Sequence, residues 1–205
     1  FGFRGRMDER YDMIRTITDG RYVYLRNYMP HRIHGQHVDF MFQMPTTARW
    51  KELFDTNQLS AVQKQFWLEK APEELYDLHA DPDETENLAG AETHHVALQR
   101  LSTALGQWIL NTRDVGFIPE GDRGNRGETC TLYEYAAKDS NYPLQRILQV
   151  AEWARTRDPR FEERLTDSLE DHHSSVRYWA ATGLLILEDQ LGEGSQLALV
   201  SMLSD

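Results

Sequence analysis

Cysteine is almost absent from this 205-residue chain, which contains Cys130 alone. A single cysteine excludes an internal disulfide framework and a zinc site built from several cysteines. Long apolar runs are absent as well, since none approaches the ~20 residues that a membrane-spanning helix needs. An initiator methionine and a signal peptide are also missing. We therefore expect a fragment, whose lack of a signal says nothing about the location of the parent protein.

The charge and the apolar content narrow the class of protein further. A net charge of −11 argues against nucleic acid as a general partner. A hydrophobic content of 40% supports a real core, and the length suits one large or two small domains.

Lysine is missing from residues 1–36, whereas arginine is frequent there. The planar guanidinium group binds sulfate and carboxylate oxygens in a bidentate way, so this bias is compatible with an anion-facing rim. The alternative is that these side chains face water or pair with neighbouring acidic residues. The arginines are Arg4, Arg6, Arg10, Arg15, Arg21, Arg26 and Arg32.

The first half of the chain has the pattern of an α+β layer, a small antiparallel sheet with packed helices. Alternating apolar residues predict strands over Met13–Thr18 and Tyr22–Tyr28, which the turn Asp19-Gly20-Arg21 joins into a hairpin. A strand over Glu73–Leu78 and a helix over Glu92–Asn111 follow from the same periodicity rules. Between them we predict a loop over Pro30–Pro45, a helix that Thr46 or Thr47 caps and that ends near Asp55, and a helix that Ser60 caps and that ends near Glu69.

The second half is predicted to be entirely helical. Its run Val176–Leu184 resembles the inner helix of HEAT-like repeats, which bury their faces against neighbouring units. About two units are visible, so we expect a truncated array. We predict an α+β domain at 1–121, a polar, glycine-rich linker at 122–131 and a repeat segment at 132–205. The predicted helices are Pro143–Arg155, Pro159–Asp171, Ser175–Glu188 and Gly194–Ser204.

The most specific stretch is Glu73–Leu78, followed by Asp81-Pro82-Asp83-Glu84 and Asn87-Leu88-Ala89. On physical grounds it is a strand, a tight turn and the start of a helix. The same string resembles the signature near the C-terminus of the sulfatase family, in the branch that contains heparan N-sulfatase (sulfamidase). Further motifs in the right order extend the resemblance over roughly residues 1–122, and they are Arg6–Arg15, Tyr22–Pro30 and Thr112–Glu120.

The resemblance implies a reaction and a cofactor. Sulfatases cleave sulfate esters or sulfamates with a formylglycine made in a Cys/Ser-x-Pro/Ala-x-Arg motif, assisted by a divalent cation, usually Ca²⁺. No such motif occurs here, and Cys130 is followed by Thr-Leu-Tyr-Glu. We therefore expect the nucleophile and Ca²⁺ in an N-terminal catalytic domain outside the chain, and no activity of the fragment alone. The resemblance also implies a sulfated carbohydrate substrate and a secreted or periplasmic location.

The remaining contribution expected of this segment is substrate recognition. Four charged groups lie within six positions just before a predicted strand, where guanidinium groups would meet sulfate or uronate oxygens and carboxylates would accept hydrogen bonds from hydroxyl groups. An ion-paired domain seam explains the same residues equally well. Two histidines in the following loop are further candidates for sugar contact. The candidate substrate-binding residues are Arg4, Arg6, Asp8, Glu9, His31 and His34.

Two patterns suggest a metal site, and both are incomplete. The three histidines of His31–His37 could ligate zinc, but Pro30 and Gly35 indicate a loop and no cysteine completes the set. The spacing of oxygen ligands over Asp81–Glu92 mimics an EF-hand, but Glu86 stands where the turn requires glycine. Carboxylates that cap a helix are the simpler interpretation, and we expect no cofactor within the chain.

Three functions remain open from the sequence. The first is a C-terminal part of a sulfatase, with a substrate-side subdomain and a helical appendage. The second is a non-catalytic interaction module whose repeats bind a protein partner. The third is a carbohydrate binder without a catalytic domain. A formylglycine motif upstream of this segment would distinguish the first from the other two.

Overall fold

The computed structural model describes residues 1–202, and within that range it confirms the α+β class. The strands are β1 (Gly2–Arg4), β2 (Ile14–Thr18), β3 (Tyr22–Asn27) and β4 (Glu73–Asp77). The helices of the first half are α1 (Asp39–Phe42), α2 (Pro45–Asp55), α3 (Ala61–Lys64) and α4 (His95–Thr112). Those of the second half are α5 (Glu120–Arg126), α6 (Leu132–Ala136), α7 (Leu144–Arg155), α8 (Glu162–Asp167), α9 (Ser174–Leu187) and α10 (Glu193–Ser201).

The four strands form one antiparallel sheet in the order β1-β2-β3-β4. β2 and β3 form the predicted hairpin, in which Ile14 pairs with Asn27 and Thr18 with Val23. Gly20 in the turn has a φ of +97°, a conformation that glycine adopts at little cost. β3 pairs in turn with β4. The edge strand β1 was not predicted, because three residues are too few to show a periodic pattern.

Helix α4 is joined to one face of the sheet. Tyr24 and Leu75 are register partners on β3 and β4, and both are completely buried. Arg26 lies on the same face as Tyr24 and donates to the hydroxyl and the carbonyl of Ser102 in α4, at 2.7 and 3.0 Å. Leu101 of α4 is buried as well, so the apolar stripe of the helix and this arginine fasten it to the sheet.

Between β3 and β4 the chain makes an excursion through short helices. The predicted loop over Pro30–Pro45 contains the single-turn helix α1. Helix α2 begins at Pro45 with Met44 as its N-cap, so the predicted caps at Thr46 and Thr47 are wrong; the fixed φ of proline suits the first helical turn. Ser60 caps α3 as predicted, in a capping box with Gln63. The helix changes to a 3₁₀ turn over Gln65–Trp67.

The chain divides into two compact units, Phe1–Leu105 and the residues from Gly106 onward. The predicted boundaries at 1–121 and 132–205 stay predictions, although the proposed linker 122–131 begins inside α5. Within residues 1–202, none of the helices combines the length and the apolarity that crossing a bilayer requires.

The second unit is built around the pair α7 and α9, with α8 beside α9. Gly183 of α9 permits this close approach, because a Cβ at that position would lie 2.8 Å from Cδ2 of Leu165. Trp179 is buried and donates its indole N–H to the carbonyl of Phe117 at 3.0 Å. No repeated unit is identified in residues 1–202, and Ser204 of the last predicted helix lies outside the described residues.

Candidate functional site

Four ionisable side chains meet at one end of the sheet. Because the strands are antiparallel, the end of β1, the start of β2, the end of β3 and the start of β4 all lie at this end. Arg4 ends β1, Asp12 precedes β2, His34 follows β3 and Lys70 precedes β4. We call these four residues the strand-end cluster.

A buried ion pair forms the centre of the strand-end cluster. The Nζ atom of Lys70 donates to both carboxylate oxygens of Asp12, at 2.9 and 2.8 Å, and the two side chains are 1% and 0% exposed. The Nε atom of Arg4 approaches the same carboxylate at 3.5 Å. Burial lowers the pKa of Lys70, while Asp12 opposes that effect. The carboxylate of Asp12, which pairs with Arg4, is therefore held in position by Lys70.

Arg4 and His34 are the two predicted residues that the structure brings into this cluster. Nη1 of Arg4 lies 3.0 Å from Nδ1 of His34, and Nη2 donates to the His34 carbonyl at 3.2 Å. Burial and the charges of Lys70 and Arg4 lower the pKa of His34 to about 4. The imidazole is therefore neutral near pH 7. Because Nδ1 accepts from Arg4, the ring proton is assigned to Nε2.

Glu9 connects the turn between β1 and β2 to helix α1. Its carboxylate accepts the backbone N–H of Asp39 at 2.8 Å, and this hydrogen bond lowers the pKa of Glu9. The ring of His37 lies 2.8 Å from the carboxylate of Asp39. The structure thus gives Glu9 a tethering role that the sequence did not predict.

The other predicted residues lie close by. Arg6 donates to the backbone carbonyl of Asp8 at 3.0 Å, and its guanidinium group lies 5.5 Å from the ring centre of Tyr11. Asp8 is exposed and has a φ of +49°, which a tight turn imposes on it. His31 is half-buried in the loop that carries His34.

An aromatic cluster continues from His34 along the excursion between β3 and β4. The ring of His34 stacks on Phe66 at 6.5 Å, and Phe66 stacks on Trp50 at 4.7 Å. Gly35 donates its N–H to the Phe66 carbonyl at 2.8 Å, and a Cβ at Gly35 would lie 2.5 Å from Cε3 of Trp67. Because Gly35 has no side chain, the loop packs closely against the indole of Trp67, and this contact positions the neighbouring His34.

In the described residues, no group of three or more His, Cys, Asp or Glu side chains is placed to hold a metal ion, and this includes the two incomplete patterns of the sequence. Within His31–His37, one histidine contacts Arg4 and another contacts Asp39. The carboxylate of Asp81 accepts the N–H groups of Thr85 and Glu86, at 2.7 and 2.8 Å. Since no helix begins there, Asp81 organises a turn and the predicted helix cap is wrong.

The Asn87-Leu88 part of the most specific stretch closes the outer edge of β4. The side-chain carbonyl of Asn87 accepts the N–H of Leu75 at 3.0 Å, and its amide donates to the Glu73 carbonyl at 3.1 Å. The N–H of Leu88 donates to the Leu75 carbonyl at 2.8 Å. These bonds satisfy a strand edge that would otherwise be unpaired, so the role of this stretch is structural.

Sequence reasoning missed Lys70 and missed the role of Asp12. No periodic pattern marks a lysine as buried, since Lys is among the residues least often found inside. The available signal was their position, because both residues lie within three positions before the start of a predicted strand.

Comparison with known proteins relates part of this chain to a sulfatase, a hydrolase. The relative is the ulvan-active sulfatase of Formosa agariphila, with 31% identity over 122 residues. The similar region covers 59% of this chain and 20% of that protein, so the chain spans about a fifth of the length of the sulfatase it matches. No family model matches the chain, and no solved structure does.

Proposed function

We propose that this chain is the C-terminal part of a sulfatase whose full-length form hydrolyses sulfate esters or sulfamates on sulfated glycans. The 31% identity with the ulvan-active sulfatase carries the proposal. The chain supplies the substrate-side subdomain. Since it has no Cys/Ser-x-Pro/Ala-x-Arg motif, the formylglycine nucleophile lies in an N-terminal domain, together with a Ca²⁺ ion that acts there as a Lewis acid.

The strand-end cluster is the part of the subdomain that we assign to the substrate. It places Arg4 and Lys70 against the single carboxylate of Asp12, with a neutral His34, so it carries a positive charge that favours anions. The Arg4 side chain is 31% exposed, donates to His34 through Nη1 and Nη2 and approaches Asp12 through Nε. A guanidinium group has five N–H donors, so donors remain for sulfate or carboxylate oxygens.

The surrounding predicted residues complete the proposed rim. Arg6 and Asp8 lie in the turn next to Arg4, and His31 lies in the loop of His34. We assign their polar groups to sugar hydroxyl and acidic groups. Glu9 accepts the N–H of Asp39 and so holds the turn in position. It therefore contributes to the rim both by its charge and by positioning its neighbours.

The test uses the full-length protein that contains this chain. We expect it to release sulfate from sulfated polysaccharides, ulvan among them, and we expect Arg4→Ala to lower kcat/KM about tenfold or more. Arg49→Ala is the matched control, because Arg49 is exposed and pairs with Glu52 on the same helix. A preparation with a verified formylglycine that releases no sulfate from any of these substrates contradicts the sulfatase proposal. An unchanged kcat/KM for Arg4→Ala removes the substrate role alone.

For the second unit we propose a HEAT-like segment that binds a protein partner. The supporting observation is the layering of its helices: α7 packs along α9, while α8 packs against both α9 and α10. Repeat arrays bury each unit against its neighbours in this way. The structure of a longer chain tests the proposal. A further helix pair stacked on α9 and α10 supports it, and any other fold at that position contradicts it.

A further inference from the structure

Arg10 is a cation for which the described residues supply no carboxylate. Its Nη2 atom donates to the thioether sulfur of Met7 at 3.0 Å, and sulfur is a weak acceptor. Its Nε atom is buried and has no hydrogen-bond partner in residues 1–202. A buried donor without an acceptor is unfavourable, and such a group in a native fold calls for an explanation.

Arg10 lies in the turn that leads into the strand-end cluster. Met7 and Arg10 form two backbone hydrogen bonds with each other, at 2.9 and 3.0 Å, and these fold the chain back between β1 and β2. Burial lowers the pKa of Arg4, and the positive charge of Arg10 lowers it further, as expected of two neighbouring cations. The side chain of Glu9 is directed to the backbone of Asp39, and it forms no ion pair with Arg10.

The carboxylate that pairs with Arg4 is already occupied by Lys70. The Nζ atom of Lys70 donates to both oxygens of Asp12, and no ion pair of Arg10 is found in residues 1–202. His34 adds no charge near pH 7, since its pKa is about 4.

The loop that carries His34 holds two further buried donors without a partner. Nε of Arg32 and Nε2 of Gln36 are buried without a partner in the described residues. With Nε of Arg10, three N–H donors of two neighbouring segments lack acceptors. A bound group that offers oxygen acceptors and negative charge would satisfy both needs.

We infer that Arg4 and Arg10 form an oxyanion site at the strand-end cluster, which takes a sulfate or carboxylate group. Guanidinium groups match the oxygens of such anions in a bidentate way. The bound anion accepts from the guanidinium group of Arg10 and supplies the negative charge with which Arg10 pairs. That the anion belongs to an acidic saccharide rests on the proposed function, whereas the site itself follows from the unpaired donors.

The test is a titration of the 205-residue chain, observed through the arginine Nε–Hε signals in nitrogen-15 NMR spectra. Sodium sulfate and sodium acetate are added separately, and sodium chloride keeps the ionic strength constant. We expect saturable shifts of the Arg4 and Arg10 signals and none of Arg49, which lies in an exposed pair with Glu52. Saturation by either anion supports the site, and the stronger one identifies the preferred group.

Variants separate this site from general charge effects. We expect Arg10→Gln to weaken anion binding about tenfold, as observed at the Arg4 signal, and Arg10→Lys to weaken it less, because it keeps the charge but loses the fork geometry. Arg49→Gln should leave binding unchanged. Shifts that never saturate, or that Arg49 shares, overturn the inference, as does an unaltered affinity in a folded Arg10→Gln chain. Sulfate release by the full-length protein is a separate measurement, so either result can fail alone.

Discussion

The buried ion pair of Asp12 and Lys70 leads to a quantitative prediction about the stability of the first unit. Replacing Asp12 by Asn keeps the shape of the side chain and removes its negative charge. Lys70 then remains 1% exposed and loses the ion pair that the described structure gives it. Because an unpaired buried charge is strongly unfavourable, we expect Asp12→Asn to lower the free energy of unfolding by about 3–5 kcal/mol.

The contacts of Asp12 also predict which of the two single variants loses more stability. In Lys70→Met, the carboxylate of Asp12 keeps Arg4 at 3.5 Å and still accepts the N–H of Met13 at 2.9 Å. This variant should therefore lose less than Asp12→Asn. In the double variant neither charge is left alone, so its loss should be smaller than the sum of the single losses.

Urea denaturation measures these differences, followed by amide signals of residues 1–105 so that the second unit does not contribute. Asp55→Asn is the matched control, since it makes the same chemical change in an exposed pair with Lys51, where we expect a loss of about 1 kcal/mol or less. Equal destabilisation by Asp12→Asn and Asp55→Asn, or simple addition of the losses of the single variants, would contradict a stabilising buried ion pair.

Two further predictions concern the loop of His34. Gly35→Ala should destabilise the first unit by about 1–3 kcal/mol, because its Cβ would lie 2.5 Å from Cε3 of Trp67, whereas Gly90→Ala has open space and should cost little in urea denaturation. Burial lowers the pKa of His34 from 6.5 to about 4, so between these values the unfolded chain binds the proton and stability falls as the pH is lowered. The full shift corresponds to about 3 kcal/mol, and for a half-buried ring we expect about 2 kcal/mol. His34→Gln should flatten this dependence between pH 7 and 4, and an equally steep profile in that variant would contradict the assignment.

The parts of the fold that sequence reasoning predicted are those that neighbouring residues determine. The hairpin follows from Asp19-Gly20, where the positive φ of glycine matches the turn. The start of α3 follows from Ser60 and Gln63, whose reciprocal hydrogen bonds need only a spacing of three. Met44 took the place of the predicted caps of α2 because Pro45 already fixes the first turn.

The strand-end cluster could not be predicted in this way. Lys70 and Asp12 are 58 positions apart, and Arg4 and His34 are 30 apart, so their contacts depend on which strand ends meet. The sequence predicted Arg4 and His34 individually from residue type. It gave no sign that a buried lysine holds the carboxylate between them, because burial of a charge is a property of the assembled sheet.

The arginines of residues 1–36 have two interpretations, anion binding and pairing within the fold, and both apply to some of them. Arg21 forms a bidentate pair with Asp77, in which Nε donates to Oδ1 at 3.1 Å and Nη2 to Oδ2 at 2.6 Å, and Arg26 fastens α4 through Ser102. These two arginines therefore stabilise the fold and are not available for an anion. Arg10 differs, because the described residues give it a thioether and leave its Nε unpaired. The frequency of arginine is therefore a weak signal of anion binding, and the informative property is an arginine for which the fold provides no carboxylate.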